Sequence, residues 1–260
     1  MAPHDWNAAD YDRTNAGVIA LGIEVLDRLE LRGDETVLDA GAGTGAVSAE
    51  LARRLPDGHV VALDAAPQMV EFARRRFAAT ANVSVVHGDL AKLDRTLLEH
   101  TLPDGVGRVD AVFSTATFHW VKDHERLWAN LRGVLVDGGA LVAQCGGRGN
   151  IAGVEREYLR VGAEAPFAER LAGWSPHHFA GPQETERLMA AAGFASTRAW
   201  LQPRPVRPED LGKHLREVIL GAHAERLPPD LFERFASDVE LALGERDEVD
   251  YVRLNIDAVA

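Results

Sequence analysis

The chain has a single cysteine, Cys145, in 260 residues, and a lone thiol excludes any intrachain disulfide framework. It has no apolar run near the roughly 20 residues that a membrane-spanning helix requires. Its first residues, MAPHDWNAADYDR, lack the basic flank and apolar centre of a secretory leader, so a cytoplasmic protein is expected. Positive charge is also short: 28 basic against 40 acidic residues leave a net charge of −12. That balance opposes the phosphate neutralisation on which nucleic-acid affinity depends. Neither nucleic acid nor a membrane is expected as a partner, and nothing in the composition points to an oligomeric state.

What is present is enough apolar material for a large core, 46% of the chain, which fits one α/β domain over residues 1–260 with a modest cap. From about residue 17 to residue 145, strand-like and helix-like segments alternate, the pattern of βαβ units feeding a parallel sheet. Strands are expected at 36–40, 59–64, 83–87, 109–114 and 140–145, with helices at 44–55, 69–77 and 123–135. Pro56-Asp57-Gly58 is a turn, and Pro67 sits where a first helical turn tolerates it. After Cys145 the rhythm loosens. Gly146 to Asn150 reads as a flexible turn, and residues 146–182 and 205–245 as cap segments with helices at 209–220 and 230–243. A helix at 183–192, a strand at 196–202 and a final strand near 248–258 suggest an antiparallel edge pair. The prolines between 203 and 208 read as a stiff connector, and the arginine run 74–76 as a solvated face.

The stretch VLDAGAGTGAVSAEL, residues 37–51, runs from a strand through three glycines into a helix. Gly41, Gly43 and Ala46 satisfy a permissive dinucleotide pattern in which glycines let the backbone turn tightly against a ligand at a helix N-terminus. An acid at the strand end, Asp39, would repel a pyrophosphate and attract an ammonium. Asp64 ends the second strand about 20 residues on, where an acid accepts both ribose hydroxyls of either NAD or S-adenosylmethionine. Asp89 ends the third strand, placed to accept from an adenine amino group while Leu90 packs on the ring. Each acid alone also reads as a strand-end cap. Acids at three successive strand ends describe S-adenosylmethionine better than a dinucleotide.

These motifs resemble the class I S-adenosylmethionine-dependent methyltransferases. The resemblance implies a doubly wound, mostly parallel seven-stranded sheet of the Rossmann-like kind, with residues 17–145 as the cofactor-binding core. It implies that Asp39, Gly41, Ala42, Gly43, Thr44 and Gly45 surround the methionine part of the cofactor. Asp64, Ala65 and Met69 would border the ribose, Asp89 and Leu90 the adenine, and Ser114 and Thr115 the end of the fourth strand. DWNAADYD near the N-terminus and STATFHWVKDH at 114–124 are similar to the trans-aconitate methyltransferase group, whose members methylate a carboxylate. Residues 1–16 are expected to cover the cofactor, with Tyr11 touching it and Trp6 beside it.

Other chemistries fit less well. Base N-methyltransferases share an N/D-P-P-Y/W sequence where this chain has Ser114-Thr115-Ala116-Thr117. No acidic cluster suited to a hard divalent cation follows residues 112–114, and His177 and His178 are adjacent and so cannot both face one metal site as neatly as helical i, i+4 ligands. No metal is expected. His119 is the best candidate base, with packing at a helix start as its alternative role; with Trp120 it is expected to line the acceptor site, and Trp174 and the pair His177-His178 to line the same cavity from the cap. The expected activity is methyl transfer to a small-molecule acceptor by O-methylation, a carboxylate among the candidates. The alternatives are an NAD-binding oxidoreductase using the same turn and a non-catalytic cofactor-binding protein. The oxidoreductase leaves Asp39 and Asp89 unexplained and lacks a Tyr-x-x-x-Lys pair.

Overall fold

In the computed structural model, residues 16–102, 105 and 107–260 are described. The expected N-terminal cover, with Trp6 and Tyr11, lies outside them. The first part runs α1 (Ala16–Leu26), β1 (Thr36–Ala40), α2 (Ala46–Arg54), β2 (His59–Asp64), α3 (Pro67–Arg76), β3 (Val83–His87), α4 (Arg95–Glu99), β4 (Val109–Thr115), α5 (His124–Val134) and β5 (Leu135–Gly146). The second runs α6 (Ala152–Gly162), α7 (Ala168–Leu171), α8 (Pro182–Ala191), β6 (Ser196–Pro203), α9 (Leu211–His214), α10 (Gly221–Ala224), α11 (Pro229–Leu243) and β7 (Val252–Val259).

The seven strands form one sheet in the order β3-β2-β1-β4-β5-β7-β6. The first five are parallel, while β7 is antiparallel to both β5 and β6. The central strands read as unbroken apolar runs because helices cover both faces. Successive side chains point opposite ways, so Leu38, Val61 and Val112 pack with Trp128 and Leu131 on one face. Their chain neighbours Val37, Val60 and Ala111 pack with Leu26, Leu51 and Leu55 on the other. Strand order reverses between β1 and β4, and in open sheets that reversal leaves a crevice at the strands' carboxyl ends.

Several expected boundaries move for identifiable reasons. Helix α2 begins at Ala46 rather than residue 44 because Gly45, at φ 80°, is left-handed and outside helical space. Strand β5 starts at Leu135, paired with Val109 through an irregularity before Ala111, and so absorbs residues expected as a loop. The helix expected over 209–220 breaks into α9 and a wide turn in which Leu220 N–H donates to the Leu215 carbonyl at 2.7 Å. Gly146 and Gly147 are not a flexible turn. A Cβ at Gly146 would sit 2.7 Å from the Phe179 ring, and one at Gly147 would sit 2.7 Å from Leu254 Cβ, so glycine there serves close packing. Helix α4, which has little periodicity to announce it, is capped by Asp94 accepting from Leu97 N–H at 3.0 Å.

Beyond β5, a separate apolar cluster joins Ile151, Tyr158 and Phe167 to Leu215, Phe235 and Tyr251. Its leading segment is tied onto the carboxyl end of the sheet. Lys122 Nζ donates to the Ser175 and His177 carbonyls at 2.7 and 2.6 Å, and His178 N–H to the His119 carbonyl at 2.8 Å. The proline-spaced connector is likewise held, through Arg204 N–H to the Tyr251 carbonyl and a bridge between Val206 and Val249. No helix among the described residues is long and apolar enough to cross a membrane.

Candidate active site

The glycine loop sits where the order reversal places the crevice. Gly41, Gly43 and Gly45 all have positive φ, 86°, 56° and 80°, a conformation that costs any residue with a Cβ. Gly41 and Ala42 N–H both donate to the Leu63 carbonyl, at 2.8 and 2.9 Å, which pins the loop to the end of β2. A Cβ at Gly41 would lie 2.1 Å from Thr117 Oγ1 and one at Gly45 would lie 2.4 Å from the Phe77 ring. A Cβ at Gly43 would meet nothing within 4 Å among the described residues, so the loop is backed on two sides and open on the third.

Thr117 is a site residue the sequence reading missed. It is carried there by Ala116, whose φ of 55° is left-handed without being glycine, at the turn after β4. Ala116 N–H donates to the Gln144 carbonyl at 2.8 Å, and Thr117 Oγ1 donates to the Thr115 carbonyl at 2.9 Å. The expected contact Ser114 is 1% exposed, with its hydroxyl donating to the Ala40 carbonyl at 2.6 Å. Ser114 therefore locks β4 to the end of β1, while Thr115 and Thr117 hold the turn against the loop. Thr44 is buried behind the loop, and Met69 packs with Ala66 and Phe72 at the start of α3.

The three strand-end acids are held differently. Asp64 accepts from Gly43 N–H and Ala66 N–H, both at 2.8 Å, and spans the two turns that flank the crevice, with Ala65 between it and α3. Burial raises its pKa against these backbone bonds. Asp39 is 2% exposed and accepts from Ser48 Oγ at 2.6 Å. Burial, opposed by Ser48 and reinforced by the negative charge of Asp64, pushes it up to about 7. Asp89 is exposed, and one oxygen accepts from Ala91 N–H at 2.9 Å. Leu90 is buried, with its side chain among the core residues under the sheet.

The two crevice acids make a testable demand on a cationic ligand. An ammonium or sulfonium nearby favours the ionised form of Asp39, so binding draws its pKa down from about 7 and releases a proton. Affinity for S-adenosylmethionine is expected to rise as pH increases from 6 and to level off above pH 8. Titration calorimetry in buffers of different ionisation enthalpy reads the proton directly; a pH-independent affinity with no proton release would remove Asp39 from the cofactor's field.

Past Thr117 a short turn, Phe118–Trp120, presents His119 and Trp120. His119 is buried, and its Nδ1 accepts from Gly146 N–H at 3.2 Å. An acceptor at Nδ1 places the ring proton on Nε2. Burial, reinforced by repulsion from a protonated His177, from Arg253 and from a protonated His124, holds its pKa well below the usual imidazole range. Around it the rings of Trp120, His177 and Phe179 stand 5.2, 5.6 and 5.9 Å away between centroids. The adjacent His178 turns away, its ring 4.4 Å from His124 and its Nε2 3.0 Å from Glu184 Oε1. Of the pair expected to line the cavity from the cap, His177 faces His119 and His178 does not. Trp174 stands farther into the cap, against His223 at 5.0 Å.

Arg253 is another residue that the sequence did not single out. It lies on β7 opposite Gly146, the glycine bonded to His119, and its guanidinium sits 4.7 Å from the Tyr251 ring. Nothing local marks it in the sequence, since only the antiparallel return of β7 brings it to the carboxyl end of β5. No group of three or more His, Cys, Asp or Glu among the described residues is arranged to hold a metal.

The residues present fit S-adenosylmethionine: a left-handed glycine turn open at Gly43, a carboxylate bridging the turn and α3, and a second buried acid beside it. Comparison with known proteins agrees. Residues 37–139 match a methyltransferase domain family. The chain is 31% identical over 213 residues to a malonyl-[acyl-carrier protein] O-methyltransferase of Geobacter sulfurreducens, covering 81% of this chain and 75% of that protein. It is 31% identical over 168 residues to a trans-aconitate 2-methyltransferase of Methylobacterium radiotolerans, covering 64% of this chain and 59% of the relative. Its fold is similar to a phosphoethanolamine N-methyltransferase 2 of Haemonchus contortus solved with S-adenosyl-L-methionine, with a TM-score of 0.56 at 17% identity, covering 93% of this chain and 52% of that one. The oxidoreductase alternative finds no support in these relatives. From its glycine turn, its acids, its strand order and its relatives alike, the chain belongs to the class I S-adenosylmethionine-dependent methyltransferases.

Proposed function

We propose that this enzyme methylates a carboxylate oxygen of a small-molecule acid and so forms a methyl ester. The observation that carries the reading is the pairing of an imidazole that cannot serve as a base with a nearby cation. His119 Nδ1 is occupied by Gly146 N–H and its pKa is depressed, so it offers an Nε2–H donor and no proton acceptor. The guanidinium of Arg253 acts on the same group. A hydroxyl or ammonium acceptor would need a base, whereas a carboxylate is already ionised at neutral pH and suits two donors, one of them charged. Malonyl groups and aconitate, named in the two relatives, are both carboxylic acids.

Bound S-adenosylmethionine supplies a methyl carbon on a cationic sulfur that departs as a neutral thioether. An oxygen–carbon bond forms as the carbon–sulfur bond breaks, and the carboxylate's negative charge cancels the sulfonium's positive one. The chain's own work is alignment. The glycine turn and Asp64 orient the donor side, His119 and Arg253 the acceptor side, and Trp120, His177 and Phe179 exclude water between them.

At saturating cofactor, His119→Gln, which keeps an N–H donor, is expected to retain activity within roughly 10-fold and to leave the pH–rate profile flat between pH 6 and 8. General-base assistance would instead be worth about 10²- to 10⁴-fold. A loss of that size accompanied by disappearance of an acid limb near the imidazole range would replace the carboxylate with a hydroxyl acceptor.

A further inference from the structure

One set of buried polar atoms is not used by the reaction as described. His223, in α10, is 1% exposed, and neither of its ring nitrogens has a hydrogen-bond partner. Its backbone N–H donates to the Leu220 carbonyl at 2.8 Å, and that carbonyl also favours the protonated ring. Tyr158, Trp174 and Phe235 wall the ring at 4.8, 5.0 and 5.2 Å between centroids. His177 Nδ1 is also buried and without a partner. The two imidazoles are close enough that charge on His223 depresses the basicity of His177. His177 in turn stands 5.6 Å from His119. Unbonded nitrogens therefore lead from the methyl-transfer end of the site into the cap.

Pure packing explains these residues poorly. Buried polar groups are nearly always bonded, and leucine or phenylalanine would fill the same space without the desolvation cost. Aromatic walls with a few convergent polar atoms are the composition of a ligand site. The electrostatics narrow the ligand further. Burial holds His177 at about 3 and His223 at about 4, so both rings are uncharged at neutral pH. Glu155, which accepts from Tyr158 Oη at 3.0 Å and Ser175 Oγ at 3.1 Å, puts an acid behind the same wall. The two cations whose fields reach these rings, Lys122 at His177 and Arg226 at His223, are turned onto the backbone carbonyls of Ser175, His177 and Arg170, so an amide, hydroxyl or thioester carbonyl suits the uncharged rings better than a second carboxylate.

We propose that His223 and His177 form a subsite in the cap for an uncharged hydrogen-bonding group at the far end of the acceptor. The acceptor is then a monocarboxylate with a neutral polar tail rather than a polycarboxylate. This rests on the reading above only in placing the acceptor's reactive end at His119 and Arg253.

Two arms test it. In the first, methyl transfer is measured to the malonyl thioester of N-acetylcysteamine, which has one carboxylate and an amide tail, and to trans-aconitate, which has three carboxylates. The thioester is expected to be the better substrate. His223→Leu is expected to raise its KM roughly 10-fold or more with little change in kcat and none in affinity for S-adenosylhomocysteine. His223→Gln, which restores a donor and an acceptor, is expected to recover most of the loss. A preference for trans-aconitate, or an unchanged KM in His223→Leu, overturns the subsite and leaves the carboxylate reading intact.

The second arm needs no turnover. The S-adenosylhomocysteine complex, labelled with ¹⁵N in histidine, is titrated with N-acetylethanolamine, an uncharged amide alcohol. The ring nitrogens of His223 and His177 are expected to shift, and the His177 shift to weaken in His223→Leu. If neither acid is methylated but the rings respond, the carboxylate reading fails and the subsite stands. Rings that do not respond overturn the subsite.

Discussion

Replacing Gly41 by alanine is expected to abolish measurable cofactor binding, a loss of well over 100-fold, while the protein stays folded. Two penalties act together. A φ of 86° costs an alanine about 1 to 2 kcal/mol, and its Cβ would sit 2.1 Å from Thr117 Oγ1 and 2.6 Å from Thr117 Cβ. The loop can relieve the contact only by leaving the Leu63 carbonyl that holds Gly41 and Ala42. Calorimetry with S-adenosylhomocysteine, alongside a circular-dichroism melt, separates lost binding from lost folding. The double variant Gly41→Ala with Thr117→Gly should recover part of the affinity, because it removes the collision and keeps the strained φ. Wild-type affinity in Gly41→Ala would show that the turn does not hold the cofactor.

The second large effect is expected at Arg253. Arg253→Met keeps the apolar stem and removes the charge, and kcat/KM for a carboxylate acceptor should fall by about 10²-fold or more. Affinity for S-adenosylhomocysteine should stay within roughly twofold, since the glycine turn and Asp64 are untouched. The same variant should raise the pKa of His119, because one of the positive fields depressing it is gone; ¹⁵N shifts of the ring read that separately. Arg253→Lys should fall between the two, as a point charge lacking the planar fork that pairs with a carboxylate. Unchanged acceptor kinetics in Arg253→Met would remove the cation from the site and with it the strongest support for an anionic acceptor.

Much of the cofactor half was legible because it is local. The glycine turn is written in consecutive residues, and Asp39, Asp64 and Asp89 each stand at or just past the end of a strand that its own apolar run announces. The strands at 36–40, 59–64 and 83–87 match the structure residue for residue. The acceptor half was legible only in part. His119 and Trp120 were found because they follow β4 directly, and His177 was found only as half of a pair, because a dipeptide cannot show which ring turns inward. Thr117, Phe179, Arg253 and His223 carried no local signal.

The sequence alone determined the fold class, the cofactor and the open end of the sheet where chemistry takes place. Periodic burial and a glycine turn are short-range properties that survive without knowledge of distant neighbours. Only the tertiary structure decided the charge state and proton position of the groups at that end. The antiparallel return of β7 sets Arg253 opposite Gly146, Gly146 occupies Nδ1 of His119, and burial then removes the basicity the imidazole has in water. Charge state and proton position depend on desolvation and on partners more than a hundred residues apart in the chain, and neither is a property of the residue that bears them.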